Sequence, residues 1–196
     1  MTFNCVHLAY TQCVRHRHDG CGGKETIMTN QTSTQNTPQT YPCTDIGNMK
    51  RFIDQHRDYL RSTPSGSWRL WTDKYWKTAT HADIFNLARK TIDTIQREAD
   101  LSLSAAETSA LRRWSETSQS EAKIKSMINM ASKHEDIQVG LGDFDKDRNR
   151  INCLNGIIDL TSGQLLERTS KDYVSKIINV DYDPYAKAPL FKTFIG

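Results

Sequence analysis

Between positions 68 and 77 three tryptophans, Trp68, Trp71 and Trp76, are interleaved with Arg69, Lys74 and Lys77. Flat aromatic faces alternating with cations suit a single nucleic-acid strand, whose bases stack on rings and whose phosphates need neutralising. The competing reading is structural. Tryptophan on short strands usually fills a core, and a hairpin shows solvent only one face, so at least one of the three rings is expected to be buried. Further along, Arg112, Arg113, Lys123, Lys125 and Lys133 fall within a helical pattern. They form either a phosphate-facing stripe or the charged outer face of amphipathic helices.

Metal and nucleotide chemistry find less support. Cys5, His7, Cys13, His16, His18 and Cys21 crowd the start of the chain. Cys13, His18 and Cys21 are the zinc candidates among them, yet Cys13 and Cys21 stand too far apart for the close ligand pair of a structural zinc site. Asp143, Asp145 and Asp147 alternate like the first ligands of a calcium loop, but Arg148 and Leu154 occupy the positions that need Gly and a bidentate Glu. A solvated acidic turn is the expectation. Gly22-Gly23-Lys24 imitates a phosphate loop, but His18 and Glu25 stand where the pattern requires Gly and Ser or Thr. No Gly-x-Ser-x-Gly nucleophile elbow occurs.

The elements that must position these residues follow from patterning. The 196 residues carry a formal charge of +3, 37% hydrophobic and 25% charged side chains, and a mean hydropathy of -0.65, a polar globular composition. No apolar run approaches the ~20 residues of a membrane span, and the start lacks the apolar centre of a secretory signal. A cytoplasmic protein with reduced thiols and no membrane partner is expected. Residues 1–27 read as a Cys/His-containing leader, either a small appendage or an over-extended translation start ahead of Met28. Residues 28–43, rich in Thr, Gln, Asn, Ser and Pro, read as a disordered polar linker.

From Asp45, taken as an N-cap, Ile46, Met49, Phe52, Ile53, His56 and Leu60 trace a helix over about 45–60. Pro64-Ser65-Gly66 breaks it, and the aromatic segment reads as a hairpin over 68–77. Ile84, Phe85, Ala88, Ile92, Ile95 and Ala99 mark a helix over 83–100. Ser104-x-x-Glu107 and Ser118-x-x-Glu121 read as capping boxes opening helices within 104–133. Asn155-Gly156 and Thr161-Ser162-Gly163 signal β-turns, and a further strand is expected over Tyr173 to Val180, which makes 151–180 a β-hairpin region. The fold class is therefore α+β.

In order along the chain, Thr44-Asp45-Ile46-Gly47-Asn48 leads to Phe52, His56, Asp58 and Leu60. The Trp68–Trp76 hairpin follows, then Trp114 and Ser118-Gln119-Ser120-Glu121-Ala122-Lys123-Ile124. Leu154-Asn155-Gly156-Ile157-Ile158-Asp159-Leu160-Thr161-Ser162-Gly163 and Val180-Asp181-Tyr182-Asp183-Pro184 complete the set. This series resembles the region preceding the helicase in phage and plasmid primase-helicases, which is similar to the N-terminal domain of the poxvirus primase-helicase. It spans about 44–194. Lys146 to Asn149 lack the family's usual Asp-Pro-Trp, and Ala188 stands where a Cys often precedes the Pro.

The resemblance implies a replication module over 44–180, with 181–196 leading toward a superfamily III helicase that this chain lacks, hence a truncated replication protein. It implies DNA, single-stranded, as partner, with self-association or other replication proteins besides. ATP and magnesium are expected only for the absent motor, and no cofactor or catalytic residue is expected in this chain. The alternative is a stand-alone DNA-binding regulator or a remnant scaffold without a motor.

Overall fold

The computed structural model describes residues 40–189 and 193–194; the zinc candidates Cys13, His18 and Cys21 lie outside them. Its elements are α1 (Asp45–His56), β1 (Leu60–Ser62), β2 (Trp68–Trp71), β3 (Trp76–Thr78), α2 (His81–Leu101), α3 (Ala105–Ser118), α4 (Glu121–Ala131), β4 (Arg150–Cys153), β5 (Gly156–Asp159) and β6 (Gln164–Leu166). Two antiparallel sheets, β1-β2-β3 and β4-β5-β6, stand with four helices in an α+β fold. No helix among the described residues is long and apolar enough to cross a membrane.

The helical core gathers Phe52 and Ile53 of α1, Ile84, Ala88, Ile92, Ile95 and Ala99 of α2, Leu111 of α3, and Ile124, Met127 and Ala131 of α4, all buried. These are the three- and four-residue spacings that put apolar side chains on one helical stripe. A buried polar network ties the helices in register. Arg51, fully buried, donates from Nε and Nη2 to the Glu98 carboxylate at 2.7–3.0 Å and from Nη1 and Nη2 to the carbonyls of Pro42 and Tyr41. Asn48 accepts from Trp114 Nε1 and donates to Ser118 Oγ, both at 2.9 Å. Tyr41 to Cys43, expected within a linker, are thereby fastened to α1.

Several boundaries differ from the sequence reading, each for a local reason. Thr44, not Asp45, caps α1 by accepting from the Gly47 N–H; the Asp45 carboxylate instead receives Lys123 Nζ at 2.7 Å. Leu60 leaves the helix to pair with Leu70 across β1 and β2, so α1 stops at His56 and the aromatic hairpin becomes a three-stranded sheet. Ser104 caps α3 without a reciprocal bond, because the Glu107 side chain accepts from Ser102 Oγ. Ser120 rather than Ser118 caps α4.

Cys153 pairs with Gly156, so the β4–β5 turn is Leu154-Asn155 rather than Asn155-Gly156. A Cβ on Gly156 would stand 2.7 Å from the Leu166 carbonyl oxygen, which is why glycine is needed there. Tyr173 to Val180 form no strand; the segment is held to β4 by Ile178 N–H to the Asn152 carbonyl and Leu154 N–H to the Val180 carbonyl. The third strand of that sheet is β6.

Candidate nucleic-acid interface

Side chains alternate across a strand, and the register sets Trp71 opposite Trp76 and Arg69 opposite Thr78. Trp68 and Leu70 therefore turn toward the helices, where the Trp68 ring meets Phe52 edge-on at 6.3 Å. Arg69, Trp71 and Trp76 share the opposite face. There Trp76 is fully buried, stacked on Tyr173 at 5.9 Å and edge-on to Phe144 at 6.1 Å, with its Nε1–H donating to the Ser170 carbonyl. Arg69 lies over the Phe144 ring and donates to Thr78 Oγ1, while its Nε is buried without a partner. The sheet thus spends Trp76 on a second, aromatic core where it offers no surface to a strand, while Arg69 stays half-buried at its edge. Trp71, half-buried, packs against Trp76 at 5.7 Å.

The basic candidates do not form one stripe. Lys77 is 3.4 Å from Asp83, whose carboxylate is held below the usual range by hydrogen bonds from Thr80 at the capped start of α2. Arg112 pairs with Asp100 at 3.3 Å near the α2–α3 connection, and Arg113 and Lys74 are exposed. Lys123 and Lys125 are two residues apart on α4 and so point to opposite sides of it. Lys123 faces α1, bonded to Asp45 and 5.0 Å from the centre of the Trp114 ring. Lys125 is exposed and pairs with Glu121 at 2.5 Å on the surface of the helix.

One site does bring candidates from separate elements together. A groove of about 370 Å³ is lined by Gly66, Trp68, His81, Lys125, Ile128, Asn129 and Ser132. It runs into a second hollow of about 260 Å³ that shares Gly66, Trp68, His81 and Ile128 and adds Ser67, Ile84 and residues 78–80. Gly66, at φ +84°, makes the β1–β2 turn that opens one wall. The groove joins a half-exposed indole, an imidazole, an ammonium and an amide on a partly apolar floor, a combination able to hold one base and one phosphate. His81 and Asn129 were not legible as site residues, since each is an isolated polar residue on an exposed helical face.

The acidic turn serves the fold. Asp145 accepts from Ser175 N–H and its hydroxyl, Asp147 pairs with Arg150 at 3.0 Å, and Asp143 accepts from the Gly140 N–H. Among the described residues no group of three or more His, Cys, Asp or Glu side chains is placed to hold a metal.

The sequence that builds this fold matches a family model: the one described as D5 N terminal like covers residues 49–196. The chain belongs to the D5 N-terminal-like family. That family is the primase-helicase N-terminal-like domain of replication proteins. No curated protein matches the sequence.

Proposed function

We propose that this D5 N-terminal-like domain engages single-stranded DNA through the Trp68–His81–Lys125–Asn129 groove, on behalf of an ATP-driven helicase motor in the same replication system. The observation that carries the reading is the convergence of a stacking ring and a cation from β2, α2 and α4 in one groove. Aromatic stacking is sequence-tolerant and phosphate contact is salt-dependent, the two properties a helicase-associated strand guide needs. ATP and magnesium belong, in this reading, to the motor and not to this domain.

The test is fluorescence anisotropy of a labelled oligo-dT strand across a salt series. Affinity is expected to fall as salt rises, and His81→Ala with Lys125→Glu, both at exposed positions, to weaken binding by about tenfold. Arg112→Glu, outside the groove, is the control and leaves affinity unchanged. Salt-independent binding, or loss with Arg112→Glu but not with the groove variants, overturns the assignment; sequence-specific duplex binding favours a stand-alone regulator.

Ring assembly is a second reading, favoured by Leu101 and Leu103, which are 77% and 104% exposed at the α2–α3 connection. Solvent-facing leucines at a helical tip suit a protein contact. Sedimentation of the Leu101→Ser/Leu103→Ser variant against wild type tests it: a shift to smaller species supports assembly, and identical profiles reject it.

A further inference from the structure

A hollow of about 390 Å³ is lined by residues of β4, of the turn before it and of the segment after Tyr173, away from the groove residues named above. Its aliphatic wall is Ile151, Val174, Ile177 and Ile178, with no aromatic ring for a base to stack on. Arg148 and Lys176 stand at it, both exposed and neither paired with a carboxylate among the described residues. Of the two acidic lining residues, Asp147 pairs with Arg150, which also holds Asp172, and Asp145 is turned to the Ser175 N–H and hydroxyl.

The backbone adds a third feature. Asn152 receives the Ile178 N–H on its carbonyl and donates from Nδ2 to the Lys176 carbonyl. The N–H and C=O of Ile177, a lining residue, have no hydrogen-bond partner among the described residues and are free to pair with another main chain.

We infer that this hollow is a docking site for an acidic, aliphatic peptide segment of a partner protein, bound in extended form. The peptide's main chain pairs with Ile177, an aliphatic side chain fills the space against Ile151, Val174 and Ile178, and its carboxylates meet Arg148 and Lys176. Main-chain pairing supplies affinity, and the pocket with its flanking cations supplies specificity. A nucleic-acid strand offers neither the main-chain donors and acceptors nor the aliphatic anchor.

The experiment uses the full chain and a fluorescein-labelled peptide of three aspartates followed by isoleucine and leucine, read by anisotropy up to about 1 mM. Saturable binding is expected, weakened about tenfold by Arg148→Glu/Lys176→Glu and to a similar degree by N-methylation of the peptide at isoleucine. The variant's oligo-dT affinity and circular dichroism stay as in wild type. Absence of saturable binding, or binding indifferent to both changes, overturns the inference. Loss of oligo-dT affinity in the same charge-reversal variant, or displacement of the peptide by oligo-dT, assigns the hollow to nucleic acid instead.

Discussion

Acidification should destabilise this domain through one buried imidazole. His56 is 4% exposed at the end of α1; its Nε2 lies 2.9 Å from Thr91 Oγ1 and its Nδ1 2.5 Å from the Tyr59 hydroxyl. Thr91 Oγ1 donates to the Leu87 carbonyl, so it accepts from His56 Nε2–H, and Tyr59 O–H donates to a bare Nδ1. The neutral ring is thus fully satisfied, and burial pushes its pKa from 6.5 down to about 4. Because the folded value lies below the unfolded one, the unfolded chain takes up the proton first. Stability is full above about pH 6.5 and falls as the pH drops toward about 4, where the loss is complete.

At about 1.36 kcal/mol per pH unit the interval corresponds to about 3 kcal/mol, of which about 2 kcal/mol is gone by about pH 5. That is a large share of the 5–15 kcal/mol typical of a domain of ordinary stability, roughly speaking. The carboxylates held low by hydrogen bonds, Asp83, Glu121 and Asp159, lose their contribution only as the pH falls below their ordinary values of 3.8, 4.5 and 3.8. Urea unfolding followed by tryptophan fluorescence, from about pH 7.5 to about pH 4.5, compares wild type with His56→Gln. The variant is less stable at neutral pH, and the gap between the two proteins closes by about 2–3 kcal/mol on acidification. A gap that stays constant with pH, or widens in acid, refutes the buried neutral imidazole.

Three further outcomes follow from the packing. Gly47→Ala places a Cβ 1.9 Å from the Pro42 carbonyl oxygen, so the helix-propensity gain of roughly 0.5–1 kcal/mol is outweighed by a clash of about 1–3 kcal/mol; thermal unfolding should show a lower Tm and limited proteolysis faster cutting near Tyr41. Arg51→Ala strips Glu98 and the Tyr41 and Pro42 carbonyls of their donor and should cost about 2–4 kcal/mol in urea unfolding, discounted because the Glu98 side chain is 26% exposed. Trp76→Ala should cost about 3–5 kcal/mol and leave oligo-dT affinity unchanged once the fold is stabilised by low temperature, since the ring is wholly buried.

The C-terminal hairpin illustrates how far local signals reach. Asn155-Gly156 marks a turn at the right place, but the turn closes one residue earlier because Asn155 Oδ1 and Nδ2 bond the backbone of Tyr182, and Gly156 is needed for its approach to Leu166. Leu60 keeps the helical spacing of Ile53 and His56 yet joins β1, because pairing with Leu70 is a non-local choice that periodicity does not encode. The basic candidates likewise meet partners that spacing does not encode: Lys77, Arg112 and Lys123 pair with Asp83, Asp100 and Asp45, from 6 to 78 positions away.

What the amino-acid order determined by itself is the set of helices, the α+β class and the family motifs. Those depend on spacing along the chain, which capping residues, apolar stripes and turn residues set within a few positions of themselves. What only the tertiary structure decided is which face each strand shows and which partners surround each charge. Alternation fixes that Trp71 and Trp76 share a face and that Trp68 does not, but nothing local says which face is covered; Phe144 and Tyr173, arriving from far along the chain, bury Trp76 and leave Trp68 beside the groove with His81 and Lys125. Burial and pairing are properties of elements meeting in space, and for that reason the site emerged from the fold and not from the order of its residues.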